Sequence, residues 1–416
     1  MAGSDNGGVT TAHGTGFAMI RAARFALPAM VCLLPIVALL GPHEVVPLGA
    51  AAAAAMATDP AARARFRVLL RGPLAMALLC LFAWGAVSCL WAPHPGDSLI
   101  LIVQVLAVML AGFMLIAGAE TGDEDVRRRS VAALGLAAAI FPLLIGTELL
   151  DDGIAAHLAR GWREHFTFNP VLYDRGAAIG SIVAWPIAFA LWRRFGPRTA
   201  ILFLALLLAF LFQLEMAAAS LAFVVGGAVF LVSYWKPRES LLAITALMLL
   251  GILVVPPVLV ATGAGREFPD LVHELPDQAT SAKHRLMIGQ FVLGKIAVRP
   301  FTGFGFDSSR SIPGGQATAI MGQAVLPLHP HNGILQIWLE LGPLGAIAAA
   351  AIVTLVLRSI MRIGPRGPTA MATATFAAFM TIAVISFGIW QNWWLMLAWM
   401  AAVLAMLAAQ AGKPEA

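Results

Sequence analysis

Between His329 and Glu340 the chain reads His-Pro-His-Asn-Gly-Ile-Leu-Gln-Ile-Trp-Leu-Glu, at the entry to a long apolar run. Imidazole is the side chain best suited to accept a proton near neutral pH, so general-base chemistry is the first reading. If His331 opens a helix, His331, Leu335, Trp338, Gly342 and Gly345 recur at alternating steps of four and three and share one stripe. The upper part of that stripe presents an imidazole beside Asn332, with Trp338 as a wall beneath. The lower part is small enough for another helix to approach closely. Pro330 suits a first helical turn. Pro343 removes one intrahelical bond and predicts a kink. The positive end of the helix dipole disfavours imidazolium, which keeps His331 in the neutral form that a base requires.

The neighbouring polar groups have blander readings. His329 reads first as a hydrogen-bonded interfacial residue and second as a substrate contact. A metal held by the two histidines is disfavoured, because positions two apart point to different sides of a helix and no acidic third ligand follows. Glu340 would lie about 13 Å deeper by helical rise. A carboxylate there needs a partner, so it is a lock, structural or substrate-facing.

Cations gather in two other places. Residues 280–298 have helical spacing through Leu286, Gly289/Gln290, Leu293 and Ile296/Ala297, and Arg299-Pro300 stops the run. This helix is too apolar for solvent, so it lies on a bilayer surface or docks onto the spans. Lys283, His284 and Arg285 occupy its first turn, where the dipole disfavours cations unless an anion such as phosphate joins them. The alternative for Lys283 is snorkelling or headgroup contact. The run Phe301-Thr302-Gly303-Phe304-Gly305-Phe306-Asp307 predicts close backbone approach with apolar anchoring, and lacks the Lys-Ser/Thr of a phosphate loop. In segment 151–175, Arg160, Trp162, Arg163 and His165 precede Tyr173-Asp174-Arg175-Gly176. Arg175, at the start of the next span, is either an anchor paired to Asp174 or a bidentate phosphate ligand. The Asp151-Asp152 pair reads as a solvated span end.

The elements that must carry these groups are membrane helices. The chain has 416 residues, of which 60% are hydrophobic and 12% charged, with a mean hydropathy of +0.85. Such a composition excludes a soluble domain, and the apolar runs are too long for barrel strands. The basic residues sit in short loops, which argues against nucleic acid as a partner. Cys32, Cys80 and Cys89 all fall in apolar runs and read as inert packing residues. Apolar runs fall at 25–41, 43–57, 72–91, 98–118, 130–150, 176–193, 199–215, 218–235, 240–262, 331–357, 369–387 and 389–410. The second is mostly alanine.

This predicts an all-α polytopic protein of about 12 transmembrane helices with a large helical outer loop between spans 9 and 10. The organisation is a disordered cytoplasmic tail (1–20), spans 1–9 (21–262), an outer loop (263–330) and spans 10–12 (331–410). Alternate loops hold Arg21/Arg24, Arg63/Arg65/Arg67/Arg71, Arg127/Arg128/Arg129, Arg193/Arg194/Arg198, Lys236/Arg238, Arg358/Arg362/Arg366 and Lys413, 18 of the 27 basic residues. The other set carries its Lys and Arg only in 151–175 and 263–330. Short-loop bias marks the cytoplasmic side, so both termini face in and the histidines face out. Losing the alanine-rich second span would invert every later loop, so the charge pattern keeps it. In a bacterial envelope the outer side is the periplasm, which lacks nucleotide donors, so its substrate must arrive already activated, as on a lipid carrier.

His331-Asn332, nine further residues, then Gly342-Pro343-Leu344-Gly345 resembles the histidine motif of the bacterial O-antigen ligases, which share a superfamily with the O-antigen polymerases. Arg285 with Arg299-Pro300 and Gly303-Phe304-Gly305 is similar to the stretch before that histidine. Tyr173-Asp174-Arg175-Gly176 with Trp185-Pro186 is similar to the family's arginine-bearing span. The likeness covers about residues 170–345. It departs where family members carry Ser-Arg at the outer end of the eighth span: here Leu221 follows Ser220, which favours a ligase over a polymerase.

The resemblance implies a GT-C-like glycosyltransferase of the bacterial inner membrane. Such an enzyme moves a glycan from undecaprenyl pyrophosphate to a hydroxyl of the lipid A core oligosaccharide, with inversion. Taken with the residue readings above, His331, Arg285 and Arg175 are the expected catalytic groups, and Asn332, His329, Lys283, Trp338 and Glu340 the expected substrate contacts. No cofactor or metal is expected, since arginines can neutralise the phosphates. Donor and acceptor lipids are the expected partners, and the sequence does not give the oligomeric state. The nearest alternative is a polymerase using the same donor. A polyprenyl-glycan transporter is the other, and it would want ionisable groups at mid-membrane that are scarce here.

Overall fold

The computed structural model describes residues 9–150, 173–214, 216–263, 274–276, 279–318 and 322–412, with side chains from residue 23 onward. The described residues are mostly helical and contain no strand. In chain order the helices are α1 (Val9–Leu40), α2 (Val45–Met56), α3 (Pro60–Leu69), α4 (Pro73–Ser88), α5 (Pro95–Thr121), α6 (Glu124–Leu150), α7 (Asp174–Phe195), α8 (Pro197–Gln213), α9 (Ala217–Trp235), α10 (Pro237–Leu249), α11 (Val255–Thr262), α12 (Thr280–Val298), α13 (Gly333–Met361), α14 (Arg366–Ile385) and α15 (Asn392–Ala409). The protein is an all-α polytopic membrane protein, because lipid leaves backbone groups no partner except within helices.

Ten of these helices are long and apolar enough to cross a bilayer, or eleven if the bent α2–α3 pair counts as one span. That is fewer than the twelve expected, for two local reasons. The alanine-rich second run is helical over only 12 residues, about 18 Å of rise against a hydrocarbon core of about 30 Å. The chain then turns by 113° into α3. Asp59 caps α3 by accepting from Ala61 N–H, and Pro60 fits its first turn. Helix α8, at the expected seventh run, has 17 residues and is the shorter apolar helix. The tail expected to be disordered over 1–20 is helical from Val9. The expectations for Arg160, Trp162, Arg163, His165 and Asp151-Asp152 fall outside the described residues.

The chain divides into two compact units. The first comprises Met1–Leu70, Val108–Phe223 and Met396–Ala416, and the second comprises Arg71–Ala107 and Val224–Leu395. In the first, α1 packs along α6 and α7 packs against α8. Helix α7 is buried along almost its whole length, from Gly176 to Leu191. Its start is pinned by Tyr173, whose hydroxyl donates to the buried carboxylate of Glu148 on α6.

In the second unit, α13 is interrupted by Gly342, which has φ 61° and ψ −156° inside the helix. The expected kink at Pro343 is therefore present and sharp. Pro343 has no N–H for the Leu339 carbonyl, and the turn at Gly342 takes the neighbouring carbonyls out of register. All three are taken from elsewhere. Phe304 N–H donates to Leu339 (2.9 Å), Gly305 N–H donates to Glu340 (2.9 Å) and Trp84 Nε1–H donates to Leu341 (2.9 Å). The Gly303 loop thus docks by its backbone onto the break, as the alternating Gly-Phe run predicts. The fit leaves no room for side chains: a Cβ on Gly303 would lie 2.4 Å from the Glu340 carbonyl oxygen, and one on Gly342 2.4 Å from that of Phe301.

The Glu340 side chain completes the joint. It is fully buried and accepts from Asp307 N–H (2.9 Å), Ser309 N–H (3.3 Å), the Ser309 hydroxyl, Gln336 Nε2 (3.1 Å) and Trp390 Nε1 (2.6 Å). Phe306 anchors the same loop: it is fully buried, its N–H donates to Ser88 (3.0 Å) and its carbonyl accepts from Ser98 (2.7 Å).

Glu340→Ala would leave several of these donors without an acceptor, at about 1–3 kcal/mol for each buried group left unpaired. Thermal unfolding in detergent should show a clear loss of stability, larger than for Glu340→Gln, which keeps one acceptor oxygen. Equal stability for wild type and Glu340→Ala would contradict this account of the joint.

Candidate functional site

Helix α12 buries Ile288, Val292, Leu293 and Ile296 in one core cluster with Ile337 and Leu339 of α13. Of the two placements expected for this helix, docking is the one observed. The buried face is rotated slightly from the predicted stripe, and centres on Ile288, Val292 and Ile296. Burying each such side chain contributes about 1.5–3 kcal/mol, whereas a misplaced cation at a helix start costs about 0.3–1 kcal/mol. Packing therefore decides where α12 sits, and its first turn is held where His284 and Arg285 line a hollow.

That hollow is a cavity of about 270 Å³ lined by Thr280, Ser281, His284, Arg285, Gln323, Pro327 and His331. Arg285 is exposed. His284 is fixed by Nε2–H donation to the Ala324 carbonyl (2.9 Å). The N-cap position of α12, Ala279, contributes no side-chain bond, and the first-turn N–H groups have no helical carbonyl to meet. Two hydroxyl residues, a guanidinium and a helix N-terminus on one wall, with an imidazole opposite, can bind a phosphate and move a proton beside it.

His331 is not on the helix. Helix α13 begins at Gly333, with Asn332 as its cap, Oδ1 accepting from Leu335 N–H at 3.0 Å. His331 precedes the cap with φ 54°, a conformation uncommon for a side-chain-bearing residue and worth explaining at a functional site. The explanation lies in its two bonds. Its N–H donates to His329 Nδ1 (3.2 Å) and its ring Nδ1 meets the Ser386 carbonyl at 2.6 Å. A carbonyl only accepts, so Nδ1 carries the proton and Nε2 of the neutral ring is left as the acceptor. Burial pushes the His331 pKa down, the Ser386 bond pushes it up, and the nearby Arg285 and His284 charges push it down, with a net fall below the ordinary 6.5. Its neutrality therefore comes mainly from desolvation rather than from a helix dipole.

The other expected contacts are redistributed. The His329 ring lies 4.3 Å from that of His331, and burial first, then the His331 and Arg310 charges, push its pKa down to about 3. It serves as a neutral acceptor for the His331 backbone, outside the cavity lining. Asn332 is a helix cap. Lys283 is half-buried on the first turn of α12 and is not among the lining residues. Trp338 is no wall of the cavity: it is buried, and its Nε1–H donates to the Ile252 carbonyl (2.7 Å). That carbonyl lies in a π-helical turn, Leu250–Val254, where Pro256 lacks the N–H that would ordinarily reach it. Glu340 is the core of the joint described above, with no surface left for substrate.

Arg175 belongs to the other unit. It follows Asp174 at the start of α7 and lies near His43. Sequence reasoning named His284 only as part of a cationic turn, and passed over Thr280, Ser281, Gln323 and Pro327 as lining residues. It also passed over Gln336, although Gln336 and Glu340 have the i, i+4 spacing of a helical side-chain pair. Among the described residues, no three His, Cys, Asp or Glu side chains gather as a metal ion would need.

A family profile described as O-antigen ligase matches residues 202–350, which span α12, the cavity and the start of α13. A protein of Rickettsia felis named "Putative polysaccharide ligase" is 32% identical over 318 residues, covering 75% of each chain. One of the same name from Rickettsia bellii is 34% identical over 325 residues, covering 76% of each. The chain belongs to the O-antigen ligase family. The matched residues include the motif that carries the resemblance, His331-Asn332 through Gly345.

His331 should be neutral at pH 7 and should protonate with a midpoint below 6.5. Histidine-selective 15N spectra across a pH titration, with His331→Ala to assign the signal, measure this. A midpoint above 6.5, or a proton on Nε2 in the neutral ring, would contradict the geometry.

Proposed function

We propose that this member of the family is a glycosyltransferase that moves a glycan from undecaprenyl pyrophosphate to a hydroxyl of the lipid A core oligosaccharide. The observation that carries this reading is the cavity that His331 lines together with Arg285, His284 and the start of α12. In the reaction, the acceptor hydroxyl oxygen attacks the anomeric carbon and its proton passes to His331 Nε2. The bond from the anomeric carbon to the phosphate oxygen breaks, and undecaprenyl pyrophosphate leaves with the bonding pair. A single displacement inverts the anomeric configuration. Arg285 and the first-turn N–H groups of α12 stabilise the charge that develops on the leaving phosphate. Arg175 enters as a second phosphate ligand on the strength of the family resemblance, at the start of α7. Asn332 and Lys283 remain at the margin of this reading, within reach of an extended glycan or a lipid headgroup.

The site is proposed to open to the periplasm from the inner membrane, with both termini cytoplasmic, on the charge distribution of the loops. That orientation requires the α2–α3 pair and α8 each to cross. In a cysteine-less background, a cysteine at Gln323 should react with a membrane-impermeant thiol reagent in spheroplasts, and one at Arg366 should react only after lysis.

His331→Ala and Arg285→Ala should each lower transfer by about a hundredfold or more while leaving expression and insertion unchanged. The assay is purified protein with lipid-linked glycan and core acceptor. Wild-type turnover by His331→Ala would falsify the general-base role. Product in which glycan is added only to a second lipid-linked glycan would instead make the protein a polymerase. Wild-type activity should fall on the acid side only below pH 6.5, because the base works in its neutral form and its pKa is depressed.

A further inference from the structure

The turn between α14 and α15, residues 386–391, is gripped at three points by the His331 segment and α13. His331 Nδ1–H donates to the Ser386 carbonyl (2.6 Å), Ile389 N–H donates to Gln336 Oε1 (3.0 Å), and Trp390 Nε1–H donates to Glu340 Oε2 (2.6 Å). Gln336 and Glu340 are joined in turn through Gln336 Nε2 (3.1 Å). Gln336 is buried at 3% exposure, and its amide has only one workable orientation. Its oxygen faces an N–H donor and its nitrogen faces a carboxylate, so a flip would break both bonds and set like groups together. The His329 ring lies against Gly388 of the same turn. The one carbonyl that determines the proton position on His331 therefore sits on a turn with no regular structure of its own, kept in place by side chains of the segment it serves.

Resting on the reading of His331 as the base, the geometry points to Gln336 as a positioning residue. With Glu340 behind it, Gln336 holds the 386–391 turn so that the Ser386 carbonyl keeps the His331 proton on Nδ1 and leaves Nε2 open to the acceptor hydroxyl. Without that carbonyl the neutral ring is free to carry its proton on Nε2, which fills the lone pair the reaction uses. A hydrogen-bonded carbonyl of this kind, on the ring nitrogen away from the reaction, is a general means of fixing an imidazole tautomer. The charged and titratable groups facing the ring are His329, His284 and Arg285, with Arg310 acting on His329. None of them can accept the Nδ1 proton in place of Ser386 while cationic or already bonded.

The test uses the full chain in lipid nanodiscs, with histidine-selective 15N spectra and kinetics on the same preparations. Wild type should show a single Nδ1–H tautomer for His331. Gln336→Leu should add an Nε2–H population and lower kcat by about tenfold or more with KM little changed, the pattern of an interaction made in the transition state. Trp390→Phe keeps an aromatic ring on Phe306 and removes one donor to Glu340, so it should shift the tautomer in the same direction by less. It also serves if Gln336→Leu does not fold. A His331 spectrum identical to wild type in the folded variants overturns the proposal. A mixed tautomer with unchanged kcat supports the positioning and overturns the general-base reading instead, which keeps the two failures apart.

Discussion

Pro343 cannot donate a hydrogen bond, and much of the second unit follows from where the orphaned carbonyls of α13 find partners. In a helix surrounded by lipid and protein, three displaced carbonyls would be costly if left bare. The Gly303 loop and Trp84 meet them, and the Glu340 carboxylate just above the break receives the next turn of the same loop. Backbone meets backbone there because Gly303 and Gly342 both lack a Cβ. The break in the helix is thus a socket, and it fixes the 303–309 loop to the helix that begins just after His331.

A similar economy governs the second proline site. Pro256 follows the π-helical turn Leu250–Val254, and the Ile252 carbonyl accepts from Trp338. The carbonyl that Pro256 leaves free thereby ties the π-helical turn to α13. With α12 packed on the same cluster by Ile288, Val292 and Ile296, the arginine-bearing turn and the histidine are held by rigid contacts. The cavity between them is lined by Thr280, Ser281, His284, Arg285, Gln323, Pro327 and His331, and burial is the main cause holding the His331 pKa below its ordinary value.

Much of this was legible in the sequence because membranes constrain strongly. Apolar runs of helical length, the proline at 343 and the Gly-Phe alternation at 303–306 each predict a local feature that the structure contains, whereas Pro330, expected in a first helical turn, lies ahead of the helix that starts at Gly333. The failures have physical causes. The second run is helical but short, and hydropathy cannot tell a crossing from a helix that turns by 113°. The stripe through His331 and Trp338 assumed that the helix begins at His331. Asn332 is a stronger cap, since its side chain takes an N–H that a histidine in a left-handed conformation leaves free. Glu340 was read as a lock or a substrate contact, and sequence could not choose because the choice lies with donors 31 to 50 residues away.

The sequence by itself determined the helical membrane architecture, the family and the identity of the groups able to do chemistry, because composition, spacing and residue type are local properties. Only the tertiary structure decided which of those groups share a cavity and which are spent on holding it together. Asn332, Trp338 and Glu340 went to the second use. The proton on His331 was decided the same way, by the backbone carbonyl of Ser386, a group that every residue type carries and that no sequence pattern can mark.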